Sequence, residues 1–179
     1  MPETVETTVP VRRVTVSTER PFDDVVAAVY AGLGRVPDFR GLVKEWRASP
    51  DGAHFEAAVA AVAGSSGLIE FLSLDLGAAL TARDPERGRR LVRIIAGNPV
   101  TMSKMTATVA DAGSYAPVTI LVAERTDGGA PIGATLSYDR VASAIAPYAS
   151  AEASAVATSL DDAVVNLLHQ AAGATVSET

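Results

Sequence analysis

The stretch "PVTILVAERTDGGAPIGATLSYD", residues 117–139, decides the fold. Pro117 to Glu124 is an unbroken β-branched and aliphatic run, the composition of a buried strand. Asp127-Gly128-Gly129 supplies turn chemistry, because glycine reaches positive φ without cost, and Ala130 to Tyr138 then returns as the hairpin partner. A hairpin at the centre of the chain predicts an antiparallel sheet, and the remaining segments are read against it.

Leu68 to Asp75 and Leu91 to Ala96 are two further apolar strands, and Val11 to Ser17 alternates Val14 and Val16 against Arg13, Thr15 and Ser17, as a half-buried strand does. Elsewhere the period changes to that of a helix. Phe22, Val25, Val26, Val29 and Leu33 share one helical face, opened by Pro21, favoured at its positive end by Asp23 and Asp24, and stopped at Gly34. Ala53 to Ala63, Val100 to Val109, Arg140 to Ala146 and a long final segment carrying Val156, Leu160, Val164, Leu167 and Leu168 complete the helices, the last ending near Gly173. This order predicts an α+β single domain over residues 11–173, a largely antiparallel sheet with helices packed on one face. A flexible lead of residues 1–10 and a flexible tail of residues 174–179 flank it.

Composition removes several function classes. The chain has 179 residues and a formal net charge of -6, without the positive footprint that nucleic-acid binding requires. Aromatic residues make up only 5%, so a base-stacking platform is not expected. There is no cysteine and there are 2 histidines, which removes disulfides, thiolate metal sites and a His-rich metal site. No apolar run reaches the roughly 18 residues of a membrane span, and the acidic N-terminus lacks a signal-peptide core, so a cytoplasmic location is expected. No phosphate-cradling glycine loop and no Gly-x-Ser-x-Gly elbow is present, and no cofactor is expected.

The segments "VTVSTERPFDDVVAAVYAGLG", "LSLDLGAAL", "LVRIIAGNP" and "APVTILVAERTDGGAPIGATLSYDRV", in that order, resemble the bacterial domain-of-unknown-function 302 family over most of residues 11–148. The resemblance implies a TATA-box-binding-protein-like α+β fold, often dimeric, with no established activity. Asp75 stands at the Asp of the family's Asp-His pair, but Leu76 occupies the position of the His. Residues 35–67 are longer than the family's usual connection, as a lid, dimer or protein-interaction element would be.

Gly97-Asn98-Pro99 reads as a strand-to-helix corner in which Asn98 caps the N–H of Val100 or Thr101 and Pro99 opens the helix. The free N–H groups of a helix start also attract anions, which makes Asn98, Thr101, Met102 and Lys104 candidate ligand-binding residues. Candidate catalytic residues are Asp75, Glu124 and Tyr138, each at a strand end, where a pocket carboxylate or phenol could act as acid or base. Asp75 before Gly77 also suits a helix cap. Arg93 either faces solvent or neutralises a pocket acid. Trp46 is either an interface anchor or core, and His54 and His169 read as surface or partly buried histidines.

These features predict a small-molecule-binding or regulatory module, homodimeric, with an apolar pocket between sheet and helices for a small organic ligand. The alternative is a cofactor-independent lyase, isomerase or cyclase. The open question is whether Asn98, Thr101 and Lys104 share a cavity with Asp75.

Overall fold

The computed structural model describes residues 1–86 and 88–174. The predicted hairpin forms, with β5 at Val118–Asp127 and β6 at Ala130–Asp139 in antiparallel register. Gly128 and Gly129 make its two-residue turn at φ 54° and 87°, the region a hairpin turn of this length requires. The other strands are β1 (Arg13–Thr18), β2 (Gly34–Arg35), β3 (Ile69–Asp75) and β4 (Leu91–Gly97). They assemble into a six-stranded sheet of order β1-β6-β5-β4-β3-β2, antiparallel except for β2 on β3. The predicted α+β single-domain class is the one observed.

Seven helices accompany the sheet among the described residues: α1 (Phe22–Gly32), α2 (Phe39–Arg47), α3 (Gly52–Val62), α4 (Leu76–Arg83), α5 (Pro99–Thr106), α6 (Val141–Ile145) and α7 (Ala151–Ala171). α7 packs on α1, α5 and α6 and lays Val164, Leu167 and Leu168 against the sheet side of the core. The sheet answers with Ile94 and Ala96 of β4, Val118, Ile120 and Val122 of β5, and Leu136 and Tyr138 of β6, all buried. Because side chains alternate along a strand, this register sends Arg93, Thr119, Leu121, Ser137 and Thr15 to the other face.

Several elements differ from the sequence reading. Gly34 does not stop α1; Leu33 leaves the helix in an extended conformation and Gly34 starts β2, where an added Cβ would lie 1.9 Å from the carbonyl oxygen of Val62. α2 was not expected, nor was the 3₁₀ turn at Ala110–Ser114, and α4 was foreseen only in the helix-cap reading of Asp75. Both helices start from an aspartate that side-chain capping explains: Asp38 accepts from the Gly41 N–H and Asp75 from the Ala78 N–H, each at 2.9 Å. The predicted tail falls mostly on residues 175–179, outside the described residues.

Within residues 35–67, α2 and α3 enclose an aromatic cluster. Trp46 stands edge-on to Phe39 and Phe55, with centroids 5.8 Å and 6.0 Å away, and Phe39 meets Phe71 of β3 at 4.8 Å. A bulge between Glu70 and Leu72 sets Phe71 out of the regular alternation and lets it reach α2. Trp46 is therefore packing within this lobe.

The Gly-Asn-Pro corner is built as expected. Asn98 Oδ1 accepts from the Val100 N–H at 2.9 Å and the Thr101 N–H at 3.2 Å, while its Nδ2 donates to the Gly67 carbonyl at 2.9 Å. One side chain thus caps α5 and fastens the loop before β3. Replacing Asn98 with Ala is expected to lower stability by about 1–2 kcal/mol in urea unfolding, the range of a lost cap plus one neutral hydrogen bond. A loss indistinguishable from zero would show that the cap is dispensable.

Candidate functional site

The sequence-predicted residues occupy three separate places. Asp75 pairs with Val92 and Ile69 with Gly97, so Asp75 and the Gly-Asn-Pro corner lie at opposite ends of β3 and β4, about 17 Å apart along the strand. The open question of a cavity shared by Asn98, Thr101, Lys104 and Asp75 is answered by this register, which keeps the two places apart. At the corner, Lys104 pairs with Glu56 of α3 at 3.1 Å, and Met102 packs against the core edge.

Asp75 and Glu124 do come together, on the rim of a surface groove formed by α1, α4 and the ends of β4 and β5. At its centre is Arg90, stacked 4.5 Å above the Phe22 ring and held by two hydrogen bonds to Asp23, one of them Nη1 to Oδ2 at 2.9 Å. The charges of Asp23, Glu124 and Asp75 all act on Arg90. The Asp23 carboxyl is held below its ordinary range by the Arg90 hydrogen bond. Asp75 itself is exposed, and its carboxylate caps α4.

Tyr138 is not in that groove. It is 2% exposed, facing the helices, and donates its hydroxyl proton to Asp161 Oδ1 at 2.5 Å. Burial first, and then this hydrogen bond, raise the Tyr138 pKa far above that of a free phenol, so the hydroxyl stays protonated. The acid–base role suggested for Tyr138 is therefore corrected: Tyr138 is a structural donor within the core.

Asp161, on α7, is the residue that sequence reasoning missed. It is fully buried and also accepts from the Val141 N–H at 2.8 Å and the Ala142 N–H at 3.2 Å, which caps α6. Burial raises its pKa, while the bonds from Tyr138, Val141 and Ala142 and the charge of Arg140 pull the other way. The signal was present in the helical period: Ala157, Leu160, Asp161, Val164 and Leu168 share one inward stripe, and a carboxylate there needs partners.

The second site lies on the sheet face that turns away from α7. One register row runs Leu74, Arg93, Leu121, Ser137, Thr15 across five strands, and a neighbouring row runs Leu72, Ile95, Thr119. Leu72 is 50% and Leu74 is 37% exposed. Near the centre is a hollow of about 460 Å³ lined by Val11, Arg13, Arg93, Tyr115, Thr119 and Leu121, among others. Arg13 is committed to Asp139 by two hydrogen bonds, at 2.6 Å and 2.7 Å. Arg93 is not: it donates only to Thr119 Oγ1 at 3.3 Å and forms no ion pair among the described residues. No cluster of metal-ligating side chains occurs among the described residues, and no described helix is long and apolar enough to cross a membrane.

An α+β domain with helices over one sheet face, the other open, and a Gly-Asn-Pro corner at the end of a central strand is the class this geometry defines. The chain belongs to the family of domain of unknown function DUF302, whose model matches residues 47–167. The crystal structure of an uncharacterized conserved DUF302 protein from Bacillus stearothermophilus shares this fold, with a TM-score of 0.59 at 9% identity over 89% of this chain and 97% of that one. No curated protein matches the sequence.

Asp161 supplies a stability test. Asp161→Ala removes the acceptor of the buried Tyr138 hydroxyl and of the Ala142 N–H and the shorter bond of the Val141 N–H, and is expected to cost about 2–4 kcal/mol by urea unfolding. A raised carboxyl pKa favours the folded state fully below the unfolded value of 3.8, and that advantage is lost as pH rises through the higher folded value. The stability difference between wild type and Asp161→Ala is therefore expected to shrink as pH rises above the unfolded value of 3.8. A difference that grows with pH would mean that the hydrogen bonds outweigh burial.

Proposed function

We propose that the protein is a cytoplasmic small-molecule-binding module that works as a homodimer, its protomers meeting through the open sheet face with a small organic ligand held there. The observation that carries this reading is the double-sided apolar character of the central strands. β4 places Ile94 and Ala96 under the helices and Leu91 and Ile95 on the open face, and β5 places Ile120 and Val122 inward and Leu121 and Ala123 outward. Strands that are apolar on both faces belong in sheets covered on both faces. Among the described residues the helices cover only one, and Leu72 and Leu74 extend the apolar surface to β3.

A second copy of the chain fits that surface better than an unrelated covering element. The open face is polar on β1 and β6, through Thr15, Ser17, Thr135 and Ser137, and mainly apolar on β3, β4 and β5, where Leu72, Leu74, Ile95 and Leu121 surround Arg93 and Thr119. A two-fold pairing can set apolar half on apolar half and leave the hydroxyl rows at the rim, the usual layout of an interface. The space between sheet and helices, where a pocket was expected, is filled by Ile94, Ile120, Leu136, Val164 and Leu168, all buried. The ligand is therefore assigned to the open face.

The enzymatic alternative rests on one observation, the convergence of Asp75 and Glu124 on the Arg90 groove. In that reading Glu124 has the stronger claim to acid–base work, since the Asp75 carboxylate is occupied by the Ala78 N–H.

Pairing is tested by light scattering coupled to size-exclusion chromatography. Wild type is expected at twice the monomer mass of 18.4 kDa, and Leu72→Glu at the monomer mass, because a carboxylate would be buried against apolar surface. A monomeric wild type, or a Leu72→Glu variant that remains dimeric, would contradict pairing through this face.

A further inference from the structure

We infer that the hollow around Arg93 binds a small organic monocarboxylate with an apolar body, resting on the reading of the open face as the working surface. The residues make a site of a definite kind. Arg93 sits between Leu74 and Leu121 in its row, so a guanidinium is presented from an apolar strand floor. It forms no ion pair among the described residues, whereas Arg13, which lines the same hollow, is committed to Asp139. Its one hydrogen bond, to Thr119, steadies the side chain and leaves most of its donors directed to the hollow or to solvent.

Charge, shape and donor count together select the ligand. A guanidinium meets a carboxylate through two parallel N–H···O bonds, and one guanidinium suits one such group. A phosphate asks for more: further cations or a nest of free backbone N–H groups. The floor offers no such nest, because β4 and β5 are central strands whose N–H groups face paired neighbours on both sides, and the second guanidinium lining the hollow, Arg13, is already committed to Asp139. Thr119, Ser137 and Tyr115 add polar side chains to the lining, while Leu121 and Leu76 line the hollow for an apolar body. Asp139 also lines it, and its negative charge is offset by the bidentate Arg13. A hollow of about 460 Å³ accepts a ligand of several carbon atoms.

The ligand would also strengthen the pairing on which the site rests. A carboxylate seated on Arg93 neutralises a charge that otherwise has to be covered when the second copy docks, so binding and pairing favour one another.

The test uses hexanoate as the probe and hexan-1-ol as its uncharged counterpart, titrated into the full-length protein and followed by amide NMR, with sedimentation velocity on the same samples. Hexanoate is expected to shift Arg93, Thr119, Leu121 and Ser137 in a saturable way, and hexan-1-ol at equal concentration to shift them far less. Arg93→Gln is expected to weaken hexanoate binding at least about tenfold, and Arg93→Lys to retain part of it, since a point charge lacks the paired fork. Equal shifts from hexan-1-ol, unchanged binding in Arg93→Gln, or no saturable shift in this row would overturn the site. The two readings fail separately. A dimer that does not bind hexanoate rejects the ligand assignment, whereas a monomer that binds it through Arg93 supports the site and rejects the pairing.

Discussion

The buried carboxylate of Asp161 is the constraint on which the arrangement of this domain depends. It joins α7 to the end of β6 through Tyr138 and to the start of α6 through the Val141 and Ala142 N–H groups. A charge-bearing group with no solvent access is tolerated because each oxygen meets donors, and the same requirement gives the three elements a single relative position. With Tyr138 held inward, the alternation of β6 has only one outcome. Ser137 and Asp139 must face away from the helices, and through the register so must Leu121, Arg93 and Leu74. The open face is thus a consequence of what is tied down beneath it.

Much of the fold was legible in the sequence, for physical reasons that can be named. The hairpin announced itself because Asp127-Gly128-Gly129 is turn chemistry between apolar runs, and Asn98 because a capping residue before Pro99 has little else to do. α2 was not legible, and α4 only through the helix-cap reading of Asp75. Each is short, and each takes its start from an aspartate that reads equally well as a turn residue. The two-residue β2 exists only because Gly34 lets the chain approach Val62, a contact that no local pattern encodes.

The candidate site was less legible than the fold because convergence is tertiary information. Asp75 and Glu124 lie 49 positions apart in sequence and meet only through the β3-β4-β5 register, whereas Asp75 and Asn98, closer in sequence, stand at opposite ends of the same strands. Tyr138 looked available because it ends a strand; the alternation that buries it was readable, but the partner on α7 that occupies its hydroxyl was not. Arg93 was visible as a charge within an apolar strand. Its lack of a carboxylate among the described residues emerges only when the neighbouring strands are in place.

We propose that the open sheet face is a working surface covered by a second copy rather than by water. Hydroxyl-radical footprinting of the intact protein tests it most directly, with Leu72 and Leu74 read against Ile132, which is 41% exposed on the far hairpin. Pairing through the face predicts that Leu72 and Leu74 are protected and Ile132 is labelled freely, with protection lost on dilution. Labelling of all three in proportion to their exposure in the single chain, at every concentration, would contradict the account.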